Sequence, residues 1–323
     1  MIISRTPLRI SFAGGGTDLK VFYERYGGCV ISTAIDKYLY VTVNKKFDDQ
    51  IRISYSKTEI VDNVDLVQHG IVRESLKYVG IRNGIEITTI ADVPGKGSGL
   101  GSSSSLTVGL LNALNAYKGK HISKDDLASD ACEVEVNILK SPIGKQDQYI
   151  ASFGGLEFIT FNKDDTVHVD PVICSPDTRK EFNERLLLFY LGKGRESNVI
   201  LSDQKEKSLG NADVLKRMKE HAHEIRRCLQ KDDVDSIGEI LDETWKLKKT
   251  LAKGVSDKEI DAVYRRARSA GATGGKVTGA GGGGFMLLYC PIDSQKRVKR
   301  ALPLKEMPFS FEPEGSKIIF YGK

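Results

Sequence analysis

The chain has 323 residues, 40% of them hydrophobic, which is the composition of an ordinary globular protein with room for two cores. Its 48 basic and 43 acidic residues leave a formal charge of +5, and the basic residues are scattered along the chain. A nucleic-acid-binding protein more often carries one concentrated basic stripe with interleaved aromatics. The composition therefore disfavours nucleic acid as a partner and suits a small anionic ligand.

The five cysteines are far apart and form no C-x-x-C pair, so they indicate neither a disulfide framework nor a zinc site. Apolar runs such as "LLLFYL" (186–191) are too short to span a bilayer, and the first residues do not resemble a signal peptide. We therefore expect a cytoplasmic protein that binds no membrane. The sequence leaves its oligomeric state open between monomer and homodimer.

Strand patterns dominate the first hundred residues. Runs rich in β-branched and aromatic residues predict strands at 8–12, 29–46, 51–56 and 84–93. A helix is predicted from residue 102. A second is predicted at about 124–140, where Ser123 and Asp126 have the spacing of a capping box. The segment 154–162 returns to a strand pattern.

Helical patterns dominate the second half. Apolar side chains keep helical spacing at Leu215, Met218, Ala222, Ile225 and Leu229, and again at Ile237, Leu241, Thr244 and Leu247. A third helix at 256–270 is expected to end at Gly271 in a left-handed conformation, followed by a strand at 285–290. Strands followed by helices in each half predict an α+β protein with two domains, 1–178 and 179–323.

The stretch "PGKGSGLGSSSS" (94–105) combines glycines and serines immediately before an apolar helix. Its spacing matches neither the P-loop nor the dinucleotide fingerprint. A flexible linker does not usually run straight into such a helix, and an ordinary helix cap needs far fewer of these residues. Glycines free the backbone N–H groups to point inward, and a helix start attracts anions. The pattern predicts a phosphate-binding loop whose serine hydroxyls are available to a metal ion.

This loop resembles the central P-x-x-x-G-L-G-S-S motif of the GHMP kinases. Three further stretches match the family in the right order: "RTPLRISFAGGGTDL" (5–19), "EVEVNILKSPIGKQDQYIASFGG" (133–155) and "KVTGAGGGGF" (276–285). The resemblance spans nearly the whole chain. It implies an N-terminal domain like domain 2 of ribosomal protein S5, a ferredoxin-like C-terminal domain, and ATP and Mg²⁺ as cofactors.

Within the family, segments 7–19 and 141–155 are most similar to heptose 7-phosphate kinases and to the kinase half of bacterial fucokinases. Galactokinases carry Gly-Glu-His where this chain has glycines 14–16. The resemblance implies a sugar phosphate substrate, with transfer to the C1 hydroxyl of a heptose 7-phosphate for nucleotide-activated heptose and surface polysaccharide synthesis. The alternatives are an L-fucose-type or other monosaccharide 1-kinase and, from another class, a non-catalytic sugar and ATP sensor.

The resemblance also implies roles for single residues. Asp147 matches the catalytic aspartate, although its position also suits a first-turn acid of a helix. Arg9 matches an arginine that stabilises the reacting phosphate, with a surface salt bridge as its structural alternative. The implied magnesium ligands are a helix glutamate and a loop serine, matched by Ser103 with Ser102 as the neighbouring choice.

Two glutamates compete for the metal, and helical spacing distinguishes them. Glu135 shares an inward stripe with Ala128, Cys132 and Leu139, whereas Glu133 lies on the polar stripe. A carboxylate turned toward the protein needs a partner, and a metal ion would supply one. Glu135 is therefore the predicted ligand, and Glu133 is expected to face water.

The remaining predicted contacts follow from the same resemblance. On the nucleotide side they are Lys96, Gly97, Gly99, Gly101, Ser102, Ser103 and Ser104. On the sugar side, Asp18 is expected to bind hydroxyls, and the backbone of Gly15, Gly16 and Thr17 to approach the sugar closely. Lys193 and Arg195 are candidates for the 7-phosphate, since arginine matches a phosphate well, and a solvated basic loop is the alternative.

Overall fold

The computed structural model describes residues 1–94, 97–192 and 197–322. The strands within them are β1 (Ile2–Ala13), β2 (Gly28–Lys45), β3 (Ile51–Ser54), β4 (Thr58–Val61), β5 (Ile85–Ala91), β6 (Leu156–Phe161), β7 (Val167–Pro171), β8 (Leu186–Tyr190), β9 (Gly274–Val277), β10 (Phe285–Tyr289), β11 (Lys305–Glu306) and β12 (Lys317–Tyr321). The helices are α1 (Lys20–Tyr26), α2 (Gly70–Tyr78), α3 (Ser102–Tyr117), α4 (Lys124–Cys132), α5 (Gln146–Phe153), α6 (Pro176–Glu184), α7 (Ser197–Lys207), α8 (Ala212–Gln230), α9 (Ile237–Leu251), α10 (Lys258–Ser269) and α11 (Ile292–Ala301).

The larger sheet has the order β12-β1-β2-β5-β3-β4, with β6 also pairing with β2 and β7 with β6. The sheet is built around the antiparallel pair of β1 and β2, which runs from Ile2 opposite Val43 to Ala13 opposite Ile31. The other edge of the long strand β2 pairs with β6 over its first part and with β5 over its last part. As a result, the segment that follows β1 and the segment that precedes β6 lie close together.

The smaller sheet has the order β11-β8-β10-β9, and all its neighbours are antiparallel. One hydrophobic core joins the two sheets, because Leu8 and Ile10 of β1 belong to the same buried cluster as Leu188 of β8 and Leu287 of β10. Burial of this shared apolar surface holds the two halves against each other. The functional residues of both halves therefore lie near one interface.

The predicted division at residue 178 falls within α6, just before the first strand of the smaller sheet, and stays a prediction. By sequence it assigns β12 to the second domain. In the fold, β12 pairs antiparallel with β1, with Ile2 opposite Tyr321 and Arg5 opposite Lys317. The end of the described chain thus returns to the larger sheet.

Most predicted elements agree with the structure. The predicted strands lie at β1, β2, β3, β5, β6 and β10, and the three helices of the second half are α8, α9 and α10. Gly271 has the expected positive φ, +114°, after the last of them. Of the helix predicted at 124–140, only α4 is α-helical: the Ser123 hydroxyl accepts the Asp126 N–H at 3.1 Å, and Glu133–Ile138 then widen into a π-helical turn.

The α3 helix begins where the sequence predicted a helix, at residue 102. Its N-cap is Gly101, in the left-handed region at φ 77°, so the four serines occupy the first turn. The helix is buried on most of its faces, because it packs between the larger sheet and α5. Across the residues that the structure describes, we find no helix whose length and apolar character suffice to cross a membrane.

Candidate active site

The Gly/Ser loop, residues 97–105 of the described chain, is shaped by three glycines. Gly97, Gly99 and Gly101 have φ angles of 73°, 71° and 77°, a region that residues with a Cβ rarely adopt. The Arg9 N–H donates to the Leu100 carbonyl at 3.0 Å, which ties the loop to β1. The free N–H groups at the start of α3 follow directly, so loop and helix together form an anion-binding cradle.

Three of the four consecutive serines, Ser102, Ser104 and Ser105, are buried. The Ser102 Oγ lies 2.8 Å from the Ser98 Oγ, and the Ser105 hydroxyl donates to the Pro7 carbonyl at 2.8 Å. Ser104 is buried beside the Glu135 carboxyl group, whose pKa its hydrogen bond lowers. The contacts of Ser102 and Ser105 instead stabilise the loop and hold the start of α3 against β1.

Ser103 is the exposed member of the group, and its hydroxyl donates to Glu135 Oε1 at 3.1 Å. Glu135 is only 2% exposed and accepts a second hydrogen bond from Gln148 Nε2 at 2.7 Å. Burial raises the pKa of Glu135 to about 7, against the opposing hydrogen bonds. Glu133 is partly exposed and bonds Asn137, as expected of the outward glutamate.

The Glu135 carboxylate makes no ion pair with any residue in the described part of the chain, and its hydrogen-bond donors are neutral. Serine hydroxyl and carboxylate oxygens suit Mg²⁺, which keeps several waters and is commonly held by one or two carboxylates together with substrate phosphates. The described residues contain no group of three or more His, Cys, Asp or Glu side chains that could hold a metal by themselves. The donor set therefore fits an ion that arrives with nucleotide phosphates.

Arg9 and Asp147 form a bidentate ion pair. Arg9 Nε lies 2.7 Å from Asp147 Oδ1, and Arg9 Nη2 lies 2.7 Å from Oδ2. The remaining guanidinium nitrogen donates to the Gly99 carbonyl at 2.6 Å, so one side chain fixes both the carboxylate and the loop. Arg9 is buried, which excludes the surface salt bridge, and Asp147 does lie in the first turn of α5.

Asp18 is a second buried carboxylate near Asp147. Its carboxylate accepts the Gly16 N–H at 2.8 Å and Gln146 Nε2 at 3.0 Å, and burial raises its pKa. A Cβ on Gly144 would lie 2.0 Å from Asp18 Oδ2, so a side chain at residue 144 would displace this carboxylate. The Gln146 Oε1 atom is buried without a hydrogen-bond partner and remains available to a ligand.

The structure does not bring the Thr17 side chain to the cleft that Asp18 lines. The Thr17 hydroxyl is fully buried between the carbonyls of Gly14 and Cys29, at 2.8 and 2.9 Å, and it accepts the Cys29 N–H at 3.1 Å. Its role is to hold the glycine turn in place. Lys96, Lys193 and Arg195 lie outside the residues that the structure describes.

The other predicted acceptor-side residues line one cleft that is partly open to solvent. Those that line it are Arg9, Gly15, Gly16, Asp18 and Asp147. Five further polar residues line the cleft as well: Ser11, Gln146, Gln204, Lys248 and Lys276. The cleft therefore holds a paired carboxylate, an unpaired one and two lysines.

The two lysines are almost fully buried, at 7% and 3% exposure. Lys276 Nζ donates to the carbonyls of Ser11 and Phe12, at 2.8 and 3.0 Å. Burial, with the nearby charge of Arg9, lowers the pKa of Lys276 to about 7, and burial also lowers the pKa of Lys248. Both had a sequence signal, since Lys276 stands in the C-terminal glycine motif and Lys248 follows Thr244 by four residues on the apolar stripe of α9.

The C-terminal glycine tract closes the site by packing on the Gly/Ser loop. Gly279 has φ 60°, and a Cβ there would lie 2.6 Å from the Gly99 Cα atom. A Cβ on Gly284, at φ 78°, would lie 2.4 Å from the Ser98 carbonyl oxygen. Glycine is required at both positions because two backbones meet without room for side chains. The two glycine motifs are therefore one structural unit.

Known proteins match this chain over its whole length. The family model "GHMP kinases N terminal domain" matches residues 65–155, and "GHMP kinases C terminal" matches residues 225–307. A D-glycero-alpha-D-manno-heptose 7-phosphate kinase of Campylobacter jejuni is 31% identical over 98% of both chains. An L-fucokinase/L-fucose-1-P guanylyltransferase of Bacteroides fragilis is 27% identical over 93% of this chain and 35% of its own length.

The architecture is also similar to solved structures. The crystal structure of a D-glycero-D-manno-heptose 1-phosphate kinase from Bacteriodes thetaiotaomicron, 25% identical, covers all of both chains with a TM-score of 0.82. A galactokinase from Lactococcus lactis, complexed with galactose, covers 98% of this chain with a TM-score of 0.76 at 18% identity and shows the fold alone.

Proposed function

This chain belongs to the GHMP kinase family and is an ATP-dependent sugar kinase, and we propose that its acceptor is D-glycero-D-manno-heptose 7-phosphate. The product would be the 1,7-bisphosphate, formed at the anomeric C1 hydroxyl. The observation that carries this proposal is the Asp147 carboxylate, which Arg9 fixes between the acceptor cleft and the Gly/Ser loop. Whole-length similarity to a heptose 7-phosphate kinase supports the choice of sugar.

In the proposed reaction, the C1 hydroxyl oxygen attacks the γ-phosphorus of ATP while Asp147 accepts its proton. The bond between the γ-phosphorus and the β,γ-bridging oxygen breaks, and ADP leaves with that oxygen. Phosphoryl transfer of this kind depends on positioning and charge stabilisation more than on covalent chemistry by the protein. Because Arg9 holds both Asp147 oxygens and the Gly99 carbonyl, it sets the position of the proton acceptor relative to the loop.

The nucleotide side is assigned to the Gly/Ser loop. Backbone N–H groups of Gly97, Gly99, Gly101 and the first turn of α3 would bind the phosphates, as helix starts do. Ser103 and Glu135 would hold Mg²⁺, which neutralises negative charge on the triphosphate when bound. The Ser103 hydroxyl and the buried carboxylate are already in contact, at 3.1 Å.

The sugar side is assigned to Asp18, Gln146 and the backbone at Gly15 and Gly16. Asp18 would accept hydrogen bonds from sugar hydroxyls, and the free Gln146 Oε1 atom would accept another. We place the reaction in the cytoplasm, in the supply of nucleotide-activated heptose for surface polysaccharide. All five cysteines are free thiols, which suits that reducing compartment.

The proposal is tested by measuring ADP release from the purified protein with heptose 7-phosphate, L-fucose, galactose and mannose in turn. A reaction without acceptor corrects for ATP hydrolysis. We expect the highest kcat/KM with the heptose phosphate. Turnover on an unphosphorylated sugar alone would refute the substrate assignment. ATP and sugar binding without turnover on any acceptor would favour the sensor.

A further inference from the structure

Lys248 and Lys276 lie side by side in the cleft wall, and the transfer chemistry above does not use them. Each ammonium group is held by two backbone carbonyls: Ser11 and Phe12 for Lys276, and Val277, at 2.9 Å, and Gly279 for Lys248. Neither lysine forms an ion pair with a carboxylate in the described ranges. Each still has a third N–H donor and borders the open space of the cleft.

The charges that line the cleft do not balance, because the two lysines are accompanied by a single unpaired carboxylate, Asp18, which forms no ion pair with either of them. Arg9 already has an ion-pair partner, because both Asp147 carboxylate oxygens accept hydrogen bonds from its guanidinium group. The lysines have none among the described residues: burial, with the charges of Lys276 and Arg9, lowers the pKa of Lys248, and burial, with the charge of Arg9, lowers the pKa of Lys276. Burying an ammonium group without an anion is costly. A dianionic ligand would neutralise both lysines at once.

An unpaired hydroxyl lies beside the same wall. The Ser11 Oγ atom is buried, lines the cleft and has no hydrogen-bond partner. Its own backbone carbonyl is one of the two that bind Lys276, at 2.8 Å. Two ammonium groups and one free hydroxyl therefore border the same space, which is the donor set that a phosphate group binds.

We propose that Lys248 and Lys276, with the Ser11 hydroxyl, form a phosphate-binding subsite in the cleft. The phosphate is either the ester that the sugar acceptor carries or the γ-phosphoryl group of ATP, since both have the same chemistry. The proposal rests on the proposed function to the extent that the cleft is the acceptor site. It gives the phosphate a binding site made of residues that the structure describes.

A purely structural role makes a different prediction, and the chain offers a control for it. Lys219 also donates its ammonium group to two distant carbonyls, Tyr26 at 2.9 Å and Gly27 at 3.2 Å, but it is not a cleft residue. If carbonyl binding were the whole role of Lys248 and Lys276, replacing any of the three lysines would lower stability and leave KM and kcat per folded molecule unchanged.

The test compares Lys248→Met, Lys276→Met and Lys219→Met by steady-state kinetics, with the folded fraction of each measured by circular dichroism. Because each of the two cleft variants loses a charged hydrogen bond, we expect KM for the sugar phosphate or kcat to change by about 10-fold or more. A rise in KM for the sugar phosphate alone assigns the subsite to the acceptor ester. A fall in kcat with both KM values unchanged assigns it to the γ-phosphoryl group. Wild-type constants in both cleft variants would overturn the proposal.

Binding of inorganic phosphate gives a readout that needs no turnover. Calorimetry is performed with saturating Mg²⁺ and ADP, so that the Gly/Ser loop is already filled. We expect phosphate to bind wild type and Lys219→Met about 10-fold or more tightly than the cleft variants. Equal affinity in all four proteins would overturn the subsite. Failure of every sugar in the ADP assay would instead refute the proposed function and leave this result interpretable.

Met variants that fail to fold are replaced by Lys248→Gln and Lys276→Gln. Glutamine keeps N–H donors for the backbone carbonyls but carries no charge. We expect it to recover the fold and to retain the loss of phosphate affinity. Recovery of both fold and phosphate affinity would show that the charge is not required and would overturn the proposal.

Discussion

Two buried charged centres lie near the same ion pair, Glu135 near Asp147 and the two cleft lysines near Arg9. In one centre, the Glu135 carboxylate is surrounded by neutral donors from Ser103 and Gln148. In the other, Lys248 and Lys276 are surrounded by neutral carbonyl acceptors. In the described part of the chain, neither centre has a partner of opposite charge.

In the Arg9–Asp147 pair, each charge already has a partner of opposite sign. A buried ion pair of this kind fixes the position of its side chains, whereas a buried charge without an ion-pair partner is stabilised further when a ligand binds it. Glu135 is thus assigned to a cation and the lysines to an anion.

Asp147→Asn breaks the Arg9–Asp147 ion pair and removes the proton acceptor. We expect kcat to fall by about 10³-fold, within the range for loss of a general base, while KM for ATP changes little. Asp165→Asn is the control, because Asp165 also pairs with a cation, Lys145 Nζ at 2.6 Å, but is not a cleft residue. A wild-type kcat in Asp147→Asn would contradict the role assigned to this carboxylate.

Glu135 makes folding stability depend on pH. Its pKa of about 7 in the folded state exceeds the ordinary 4.5, so its favourable contribution is complete below pH 4.5 and is lost as the pH rises through 7. Urea unfolding should show wild type losing about 3 kcal/mol between pH 4.5 and 8 relative to Glu135→Gln. Adding Mg²⁺ at pH 8 should restore part of the unfolding free energy that wild type has lost. An identical loss of unfolding free energy in wild type and Glu135→Gln would contradict a buried Glu135 carboxylate without an ion-pair partner.

The same carboxylate should govern the metal requirement. Glu135→Gln is expected to raise the Mg²⁺ concentration for half-maximal activity by about 10-fold or more, whereas Glu133→Gln leaves it unchanged. In wild type the requirement should fall between pH 6 and 8, as Glu135 ionises. Activity titrations with MgCl₂ measure both. An effect confined to Glu133→Gln would reverse the assignment.

Gly99 and Gly119 have the same φ, 71°, in different surroundings. A Cβ on Gly99 would lie 2.7 Å from the Thr278 carbonyl oxygen, whereas one on Gly119 would meet nothing within 4 Å. Gly119→Ala should therefore cost about 1 kcal/mol in unfolding free energy, the price of the left-handed conformation alone. Gly99→Ala should cost clearly more and raise KM for ATP. Equal losses would show that the two glycine motifs do not need their close contact.

The smallest expected effect distinguishes two serines. Ser103→Ala removes a hydroxyl that contacts Glu135 and should raise the Mg²⁺ requirement about 5-fold, the value of one hydrogen bond. Ser102→Ala removes a buried hydroxyl paired with Ser98 and should leave that requirement unchanged. Activity titrations of both variants with MgCl₂ measure this requirement. The opposite result would move the metal ligand by one residue.

The two centres also differ in how far the sequence predicted them. The inward direction of Glu135 followed from helical spacing, and the structure confirms its burial although the α4 helix widens there into a π-helical turn. That spacing sufficed because Glu135 is only the third residue of the widened turn. The loop glycines were likewise recognisable, since the residues that form the loop are contiguous.

The lysine centre could not be predicted in this way. Lys276 meets the carbonyl of Ser11 across 265 residues, and Lys248 meets carbonyls of a segment 29 and 31 residues further on. No local pattern indicates which carbonyls a lysine will meet. The pairing of β12 with β1 escaped prediction for the same reason, because it joins the two ends of the chain. Contacts between distant segments depend on the fold.

The proposed reaction is tested most directly by ³¹P NMR of the product made from ATP and heptose 7-phosphate. We expect a second phosphate ester whose phosphorus couples to the anomeric proton, with the 7-phosphate resonance retained and ADP formed in equal amount. A new ester on any hydroxyl other than C1, or ADP formed without a new sugar ester, would contradict the proposed reaction.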